Sequence, residues 1–536
     1  MDEATQDAWT GTVRAGYAGT GPAIELGALL TGDPGSPTAV PDAAVRLPLS
    51  TLNRHGLVAG ATGTGKTKTL QLMAEQLSAQ GVPVFLADVK GDLSGIAVAG
   101  ADSPRVRERA ATVGQEWAPF AAPVELLALG GRGTGVPVRA SVTSFGPLLL
   151  AKVLGLNDVQ TSSLQLIFHW ADTRGLALLD LPDLRAVVTH LTSDEGRAEL
   201  RELGGLSRST AGVVLRELVA FSAGGADAFF GEPELDTHDL LRVAPDGRGV
   251  VSCLELAGVV QQPRVFSAFL MWLLADLFAD LPEVGDVEKP KLVFFFDEAH
   301  LLFADASDDF LEQVTQTVRL IRSKGVGVFF VTQVPADVHP AVLAQLGNRV
   351  QHALRAYTPG DAKALRAAAS TFPRSPYDLE ELLTGLGTGE AVVTVLSERG
   401  APTPVAWTRL RAPGSLMAPA PAATADALVT ASPLQARYGT AVDRESAREL
   451  LAAEVTGAPT PATPAPATPA PERPAPETRR RAPDPERHRR APDPEPSVVE
   501  SVVRSSAFRS FLRSAASAVG REIVRGAMGT STKRRR

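Results

Sequence analysis

The stretch GATGTGKT, residues 60–67, constrains the fold of this 536-residue chain more than any other feature. It follows HGLVAG, an apolar run that predicts a strand. It opens GKTKTLQLMAEQLSAQG, which has the apolar spacing of a helix closed by glycine. A second predicted strand, VPVFLADVKGD, comes next. A strand, a glycine-rich turn, a helix and another strand are the start of a parallel α/β sheet.

The same eight residues fit the phosphate-binding pattern G-x-x-x-x-G-K-[ST] in full. Glycines let the backbone turn its N–H groups toward phosphate oxygens, and the helix start adds partial positive charge. We expect Lys66 to reach the β- and γ-phosphates of ATP, and the Thr67 hydroxyl to bind Mg²⁺. The predicted nucleotide-binding residues are Gly60, Ala61, Thr62, Gly63, Thr64, Gly65, Lys66, Thr67 and Lys68.

The run LVFFFDEAH, residues 292–300, predicts a buried central strand that ends in two carboxylates. Doubly wound sheets bind their ligands at that edge. Asp297 is predicted to hold Mg²⁺, and Glu298 to orient and polarise the attacking water. The chain has no guanine-reading N-K-x-D, which disfavours a switch GTPase. The letters DEAH also occur in other helicases, but the further motifs of those helicases are not evident.

Four more polar residues are candidates for the site. Gln333 ends the predicted strand GVGVFFVTQVP, where an amide can contact both the γ-phosphate and the attacking water. Asp88 ends the strand of ADVKGD and could lie near Mg²⁺ or bind a polymer. Arg54 and Arg322 could meet the charge that develops on the γ-phosphate, often from a neighbouring subunit. The alternative for each of the four is an ordinary surface residue.

The chain divides by composition into seven segments. Residues 1–50 contain short β-like pieces, such as GTVRAGY and AAVRLPL. The GEAVVTVL and TPVAWTRLRAP runs predict an antiparallel pair at the sheet edge. Pro is frequent in residues 458–496, which predicts a disordered spacer there. The remaining segments are two core parts (51–140 and 246–412), a helical insertion (141–245), a helical extension (413–457), the spacer (458–496) and an amphipathic tail helix (497–536).

Charge is unevenly distributed along the chain. From residue 478 onward there are 15 Lys/Arg and 6 Asp/Glu, whereas the whole chain has a net charge of −7. The tail is therefore basic and the body acidic, which favours an interaction tail. One cysteine, Cys253, fits a reducing compartment. The N-terminus is not a signal peptide, and the apolar run 266–281 is interrupted by two aspartates, so we expect a buried helix and a cytoplasmic protein.

These motifs together resemble the HerA/FtsK superfamily of hexameric P-loop ATPases, and most closely its YjgR-like bacterial branch. The matching pieces are LNRHGLVAGATGTGKT, FLADVKGDLSG, LVFFFDEAHLLF and LIRSKGVGVFFVTQVPADV, within residues 50–410, and REIVRGAMGT in the tail. The resemblance implies a RecA-like sheet and a ring, ATP hydrolysis between subunits, and DNA as the polymer. It implies that Arg54 acts in trans, Arg322 in cis and Gln333 as a sensor. About fifty residues precede Arg54, too few for the β-barrel of HerA.

Two functions of different classes remain open from the sequence. The first is a ring ATPase that translocates on or unwinds DNA, favoured by the sensor glutamine and the two arginines. The second is a nucleotide-dependent assembly protein whose tail binds a protein partner or a membrane surface, favoured by the basic amphipathic tail. A secretion-coupling ATPase is disfavoured because no membrane span is predicted.

Overall fold

A twelve-stranded sheet forms the centre of the computed structural model, which describes residues 2–200, 204–259, 262–285, 287–303 and 308–456. The strands are β1 (Ala23–Thr31), β2 (Thr38–Pro48), β3 (Gly56–Ala59), β4 (Val84–Asp88), β5 (Val124–Leu129), β6 (Val136–Val138), β7 (Val251–Glu255), β8 (Leu292–Phe296), β9 (Val326–Thr332), β10 (Asn348–Gln351), β11 (Glu390–Thr394) and β12 (Ala406–Leu410). Their order across the sheet is β2-β1-β12-β11-β10-β3-β9-β8-β4-β7-β5-β6.

Strands β10 to β6 in that order are all parallel, whereas β11, β12, β1 and β2 each run antiparallel to their neighbours. The predicted class, α/β with a mostly parallel central sheet, is confirmed. The predicted strands of HGLVAG, LVFFFDEAH and GVGVFFVTQVP form β3, β8 and β9, which are wholly buried. A parallel strand covered on both faces reads as a continuous apolar run, which is why these strands were recognisable.

Helices cover both faces of the sheet. They are α1 (Glu3–Tyr17), α2 (Lys66–Ala79), α3 (Pro104–Thr112), α4 (Val142–Phe145), α5 (Pro147–Val153), α6 (Asp158–Thr173), α7 (Leu181–Thr192), α8 (Asp194–Glu199), α9 (Arg208–Ala223), α10 (Pro263–Asp280), α11 (His300–Phe303), α12 (Asp308–Ile321), α13 (Pro340–Leu343), α14 (Pro359–Ala369), α15 (Leu379–Gly385), α16 (Ala422–Ala431), α17 (Gln435–Tyr438) and α18 (Ala447–Thr456).

The alternation of side chains along β8 shows how the two faces are filled. Phe294 and Phe296 point into a core shared with α10, whereas Val293 and Phe295 point into a second core shared with α2. The apolar run predicted as a buried helix is α10, and almost all of its middle is buried. Burial of a large aromatic side chain contributes about 2–3 kcal/mol, so these two layers hold the sheet in place.

Helices α4 to α9 follow β6 and precede β7, in the stretch predicted to be helical. Local sequence sets their beginnings: Asn157 and Asp180 each cap a helix through a reciprocal capping box. Helix α18 packs against α7, and the Ser446 hydroxyl donates to Asp183 at 2.5 Å. This helical layer shares one core with α10, so the insertion is packed onto the sheet.

Two expectations about the outer strands were wrong. The GTVRAGY stretch lies in α1, which Asp2 caps by accepting from the Thr5 N–H at 2.8 Å. Tertiary contacts stabilise this helix: the Tyr17 hydroxyl lies 3.1 Å from the carbonyl oxygens of both Val393 and Pro404, and its one hydrogen is shared between these two acceptors. Contacts of this kind override weak local propensity.

The second correction concerns the edge of the sheet. β11 and β12 are the expected antiparallel pair, but β1 and β2 continue the sheet beyond β12. At the opposite end, β5 and β6 were not foreseen, because VELLAL has no alternation and β6 has three residues. The predicted spacer (458–496) and tail helix (497–536) lie outside the described residues. Within the described ranges, no helix is long and apolar enough to cross a membrane.

We expect Tyr17→Ala to lower the free energy of unfolding by about 3–5 kcal/mol, because it removes a buried ring and leaves two carbonyls without a donor. Tyr17→Phe, which keeps the ring, should cost about 1–2 kcal/mol. Guanidinium denaturation followed by tryptophan fluorescence measures both. Thr12→Ala on the exposed side of the same helix is the matched control. Equal midpoints for Tyr17→Ala and Thr12→Ala would show that α1 is not docked.

Candidate nucleotide-binding site

The loop between β3 and α2 is shaped by close contacts that only glycine permits. Gly63 and Gly65 have positive φ angles of 78° and 114°. A Cβ atom on Gly60 would lie 2.5 Å from the Cβ of His352, and one on Gly65 would lie 3.3 Å from the Cα of Gly389. Thr62 and Gly63 are exposed at the tip, whereas Thr64 is buried beneath it. The result is a narrow turn with its tip open to solvent.

Neighbouring strands hold the loop through its own backbone. The Gly60 N–H donates to the carbonyl of Thr332 at 3.2 Å, and the Ala61 N–H donates to that of Ala353 at 2.8 Å. On the other side, the Gly389 N–H donates to the Thr64 carbonyl at 2.9 Å. These bonds fix the outer groups of the loop, so the N–H groups at the start of α2 are available for a ligand.

Lys66, the first residue of α2, is folded back onto the loop. Its ammonium donates to the carbonyls of Gly60 at 2.5 Å and Ala61 at 3.1 Å, and the residue is 7 % exposed. Burial lowers the pKa of Lys66, and the carboxylates of Glu298 and Asp297 oppose that shift. The lysine therefore lies inside the turn, where phosphate oxygens would be its natural partners. Thr67 and Lys68 follow, both half-buried.

His352 supports the loop from below and was not predicted. The ring Nε2 lies 2.9 Å from the Thr69 hydroxyl, and the backbone N–H of His352 donates to the Ala59 carbonyl at 2.7 Å. Burial, together with the charge of Lys66, lowers the pKa of His352 to about 4. The ring is therefore neutral at physiological pH. The one sequence signal for it is its position directly after the β10 run NRVQ, beside the phosphate loop.

The acidic pair follows β8, as predicted. Asp297 is 4 % exposed, and its Oδ2 has no hydrogen-bond partner among the residues that the structure describes. Burial raises the pKa of Asp297 to about 7, and the charge of Lys90 opposes the shift. A buried carboxylate oxygen without a donor is suited to a cation, since a hard divalent ion supplies the missing charge. With the narrow glycine turn beside it, Asp297 fits the binding of Mg²⁺ with a nucleotide.

Glu298 is held in an uncommon backbone conformation, with φ at 46°. The next N–H, that of Ala299, donates to the Val331 carbonyl at 2.8 Å and fixes the turn. The Glu298 carboxylate pairs with the ammonium of Lys90, and His300 Nδ1 lies 3.3 Å from its second oxygen. Burial alone would raise the pKa of Glu298, but these neighbours outweigh burial and lower it. Glu298 is therefore an ionised carboxylate beside Lys66 and Asp297.

Asp88 organises a loop, which differs from the predicted contact with Mg²⁺. One of its oxygens accepts from the N–H groups of Gly91 at 2.7 Å and Asp92 at 3.3 Å. The other accepts from the Leu93 N–H at 2.9 Å. Burial raises the pKa of Asp88 to about 6. Both oxygens are engaged by backbone donors, so Asp88 shapes the loop that carries Lys90 and does not face the phosphate loop as a free ligand.

Gln333 and the two arginines lie at opposite edges of the sheet. Gln333 is exposed directly after β9, at the carboxyl edge where the phosphate loop also lies. Arg322 is exposed and precedes β9, so the strand of seven residues separates it from that edge. Seven residues span about 23 Å at ~3.3 Å per residue. Arg322 therefore does not reach the phosphate loop of its own chain, and the cis role implied by the resemblance does not fit.

Arg54 shares this amino edge with Arg322. It is half-buried and precedes β3, and within the described part of the chain its Nε has no hydrogen-bond partner. His55, the next residue, is buried, and burial with the nearby charge of Arg322 lowers its pKa to about 4. Arg54 and Arg322 thus both lie at the amino edge of the sheet, away from the Lys66 site of the same chain.

A cavity of about 880 Å³ lies elsewhere, within the helical insertion and against the end of α10. Its one lysine or arginine is Arg444, which pairs with Glu232. The carboxylates along its wall are those of Asp172, Glu232, Glu234, Asp236, Asp276 and Asp280. Such a surface repels phosphates, so this cavity is not a nucleotide site.

His352 gives a pH-dependent prediction. A histidine whose pKa falls from 6.5 to about 4 on folding stabilises the protein above pH 6.5, and the contribution is lost as pH falls from 6.5 toward 4. We expect His352→Asn to destabilise the protein most at pH 7.5, and by roughly 2 kcal/mol less at pH 5. Denaturation of both proteins at the two pH values measures this. Groups that titrate in both cancel in the difference, and a pH-independent difference would contradict the prediction.

The sequence model of the HerA-like helicase C-terminal family matches residues 36–536. A protein of Methanocaldococcus jannaschii named "Probable helicase MJECL08" is 32 % identical over 118 residues, which are 21 % of this chain and 21 % of that protein. The matched part is thus about a fifth of that relative's length.

The chain is also similar to several solved structures at low sequence identity. The bacterial conjugative coupling protein TrwBdeltaN70 is 15 % identical, with 76 % of this chain and 94 % of that chain covered and a TM-score of 0.48. The plasmid coupling protein TrwB in complex with ADP and Mg²⁺ is 16 % identical, with 75 % of this chain and 98 % of that chain covered and a TM-score of 0.47. VirB4 of Thermoanaerobacter pseudethanolicus is 14 % identical, with 74 % of this chain and 98 % of that chain covered and a TM-score of 0.44. The family match spans most of the sequence, including the phosphate loop and the acidic pair: this chain belongs to the HerA-like helicase C-terminal family.

Proposed function

We propose that this protein hydrolyses ATP with Mg²⁺ between the subunits of a ring, of six subunits as the resemblance implies, and uses the reaction to move along DNA or unwind it. The observation that carries the ATPase part is the convergence at one sheet edge of a glycine turn, the Lys66 ammonium, an unpartnered buried Asp297 oxygen and the ionised Glu298. The family to which the chain belongs supports the motor part.

Each residue has a defined task in this proposal. Lys66 exchanges its two carbonyl partners for the β- and γ-phosphate oxygens, which are stronger acceptors. Asp297 and the Thr67 hydroxyl hold Mg²⁺, which when bound neutralises charge on the phosphates. Glu298 orients a water for attack on the γ-phosphate. Gln333, exposed at the same edge, contacts the γ-phosphate and passes the nucleotide state to the residues after β9.

The position of the two arginines supports the proposed ring. A γ-phosphate that loses its bond to ADP develops charge that guanidinium stabilises, and such a group is often supplied in trans. Arg54 and Arg322 lie at the edge opposite to their own phosphate loop. Head-to-tail packing brings this edge of one subunit against the carboxyl edge of the next, and repetition of that contact closes a ring.

A second function is a nucleotide-dependent assembly protein that binds a partner or a membrane surface through its tail. The surplus of basic residues from residue 478 onward favours it. The two functions differ in one measurable property, because a DNA motor hydrolyses ATP faster when DNA is present, whereas an assembly protein does not.

We expect the purified protein to hydrolyse ATP, and double-stranded DNA to stimulate the rate. Lys66→Ala should reduce the rate at least roughly 100-fold by removing the phosphate contact, and Glu298→Gln should reduce kcat by a similar factor while nucleotide binding is retained. Phosphate release and nucleotide binding are the two measurements.

Lys289→Ala and Glu288→Gln are the matched controls, since both residues are exposed in the loop before β8, at the amino edge. Hydrolysis that persists in Lys66→Ala would contradict the ATPase assignment. An ATP hydrolysis rate that does not change when DNA is added would exclude the motor function and favour the assembly function.

Mixing of inactive variants tests the shared site. Arg54→Ala and Lys66→Ala should each be inactive alone. We would mix the two variants in equal amounts and allow subunits to exchange. A site is complete where the phosphate loop of an Arg54→Ala subunit faces Arg54 of a Lys66→Ala subunit. Up to about a quarter of the sites should therefore recover activity. The same experiment with Arg322→Ala tests the second arginine. Arg185→Ala, at an exposed position of α7, is the control. No recovery in either mixture would contradict sites completed by neighbouring subunits.

A further inference from the structure

Lys90 is a charged residue that the sequence motifs left unexplained. It lies in the turn that follows β4, and Asp88 fixes this turn by accepting from the N–H groups of Gly91, Asp92 and Leu93. Gly91 has a φ of 73°, which the tight turn requires. The position of Lys90 is thus set by a buried carboxylate and three backbone bonds, and its side chain extends from this turn toward Glu298.

Lys90 lies next to the groups that handle the phosphates. Its ammonium pairs with Glu298 Oε1, and its charge also acts on Lys66 and Asp297. The carboxylate of Glu298 is therefore occupied on one side by Lys90, and His300 lies against the other side. Glu298 Oε2 is buried and has no hydrogen-bond partner among the described residues, so a water that arrives from solvent would meet Oε1, the oxygen that Lys90 now holds.

The two lysines of the site differ in how firmly they are held. Lys66 is 7 % exposed and binds two carbonyls, whereas the Lys90 side chain is 44 % exposed and has one carboxylate as its partner. An ion pair with one partner this exposed is weak. A γ-phosphate carries more charge and more acceptor oxygens than one carboxylate, so it is the stronger partner for a mobile ammonium.

We propose that Lys90 is a γ-phosphate-responsive positioning residue: it holds Glu298 in the nucleotide-free protein and exchanges this carboxylate for the γ-phosphate of a bound nucleoside triphosphate. The proposal rests on the proposed ATPase function and adds to it a switch that a diphosphate does not operate. The exchange frees the Glu298 oxygen for water only when a third phosphate is present. Glu298 and the γ-phosphate thus compete for one cation.

This competition makes a double-mutant cycle decisive. We would measure the Kd of ADP and of the non-hydrolysable analogue ADPNP, each with Mg²⁺, for the full chain and for Lys90→Met, Glu298→Gln and the double variant. Lys90→Met should weaken ADPNP binding about tenfold and ADP binding less than about twofold, because only the triphosphate uses Lys90. Glu298→Gln removes the competing charge, so it should tighten ADPNP binding about threefold.

The tighter ADPNP binding caused by Glu298→Gln should disappear in the double variant, which also carries Lys90→Met. Lys90→Arg should retain most of the preference for ADPNP over ADP. Lys289→Met controls for the loss of a lysine. Equal weakening of both nucleotides by Lys90→Met, or an equal effect of Glu298→Gln with and without Lys90, would overturn the proposal while the ATPase function stands. A wild-type protein that binds neither nucleotide would instead overturn the proposed function, and Lys90 with it.

Discussion

The backbone hydrogen bonds that anchor the phosphate loop are the constraint on which the site depends. A loop that is to surround phosphates must keep its N–H groups unpaired, so it cannot be stabilised by regular structure of its own. Here Thr332 and Ala353 accept from the start of the loop, and Gly389 donates to its middle. The order of β10, β3 and β9 in the sheet, with β11 beside β10, is what brings these partners together. The helices in turn hold that order by filling both faces with apolar side chains.

The sequence was sufficient where the signal was local. The central parallel strands and α2 could be predicted because strands buried on both faces read as continuous apolar runs, and because the loop motif carries its own chemistry. The acidic pair was recognisable for the same reason, since Asp297 and Glu298 directly follow such a run.

The sequence was insufficient where distant segments meet. Helix α1 depends on contacts with residues near 393 and 404, and the importance of His352 and Lys90 depends on which strands are neighbours. Strand β6 has three residues and depends on pairing with β5. The orientation of Arg322 is a different case. Arg322 precedes β9 and Gln333 follows β9, so the direction of this strand alone places the two residues at opposite edges of the sheet. The resemblance, in contrast, implied that both act at one site.

The two edges of the sheet therefore have different chemical characters. The carboxyl edge carries the groups that hold phosphates and orient water, and Lys90 couples two of them. The amino edge carries the exposed Arg322 and the half-buried Arg54 with an unpartnered Nε. Asp88 illustrates how the first edge is built, because a carboxylate that seemed suited to a metal instead fixes the turn that positions Lys90. The two edges thus differ in charge: the carboxyl edge combines carboxylates with lysines, and the amino edge carries two arginines.

The bond between Gly389 and Thr64 has a consequence for the protein during its synthesis. The phosphate loop leaves the ribosome early, but the strands that support it are made more than 260 residues later, and Gly389 lies 325 residues after Thr64. A nascent chain that ends before β11 has the complete loop motif without its supports. The loop therefore acquires its supporting hydrogen bonds only when the chain has been made as far as β11.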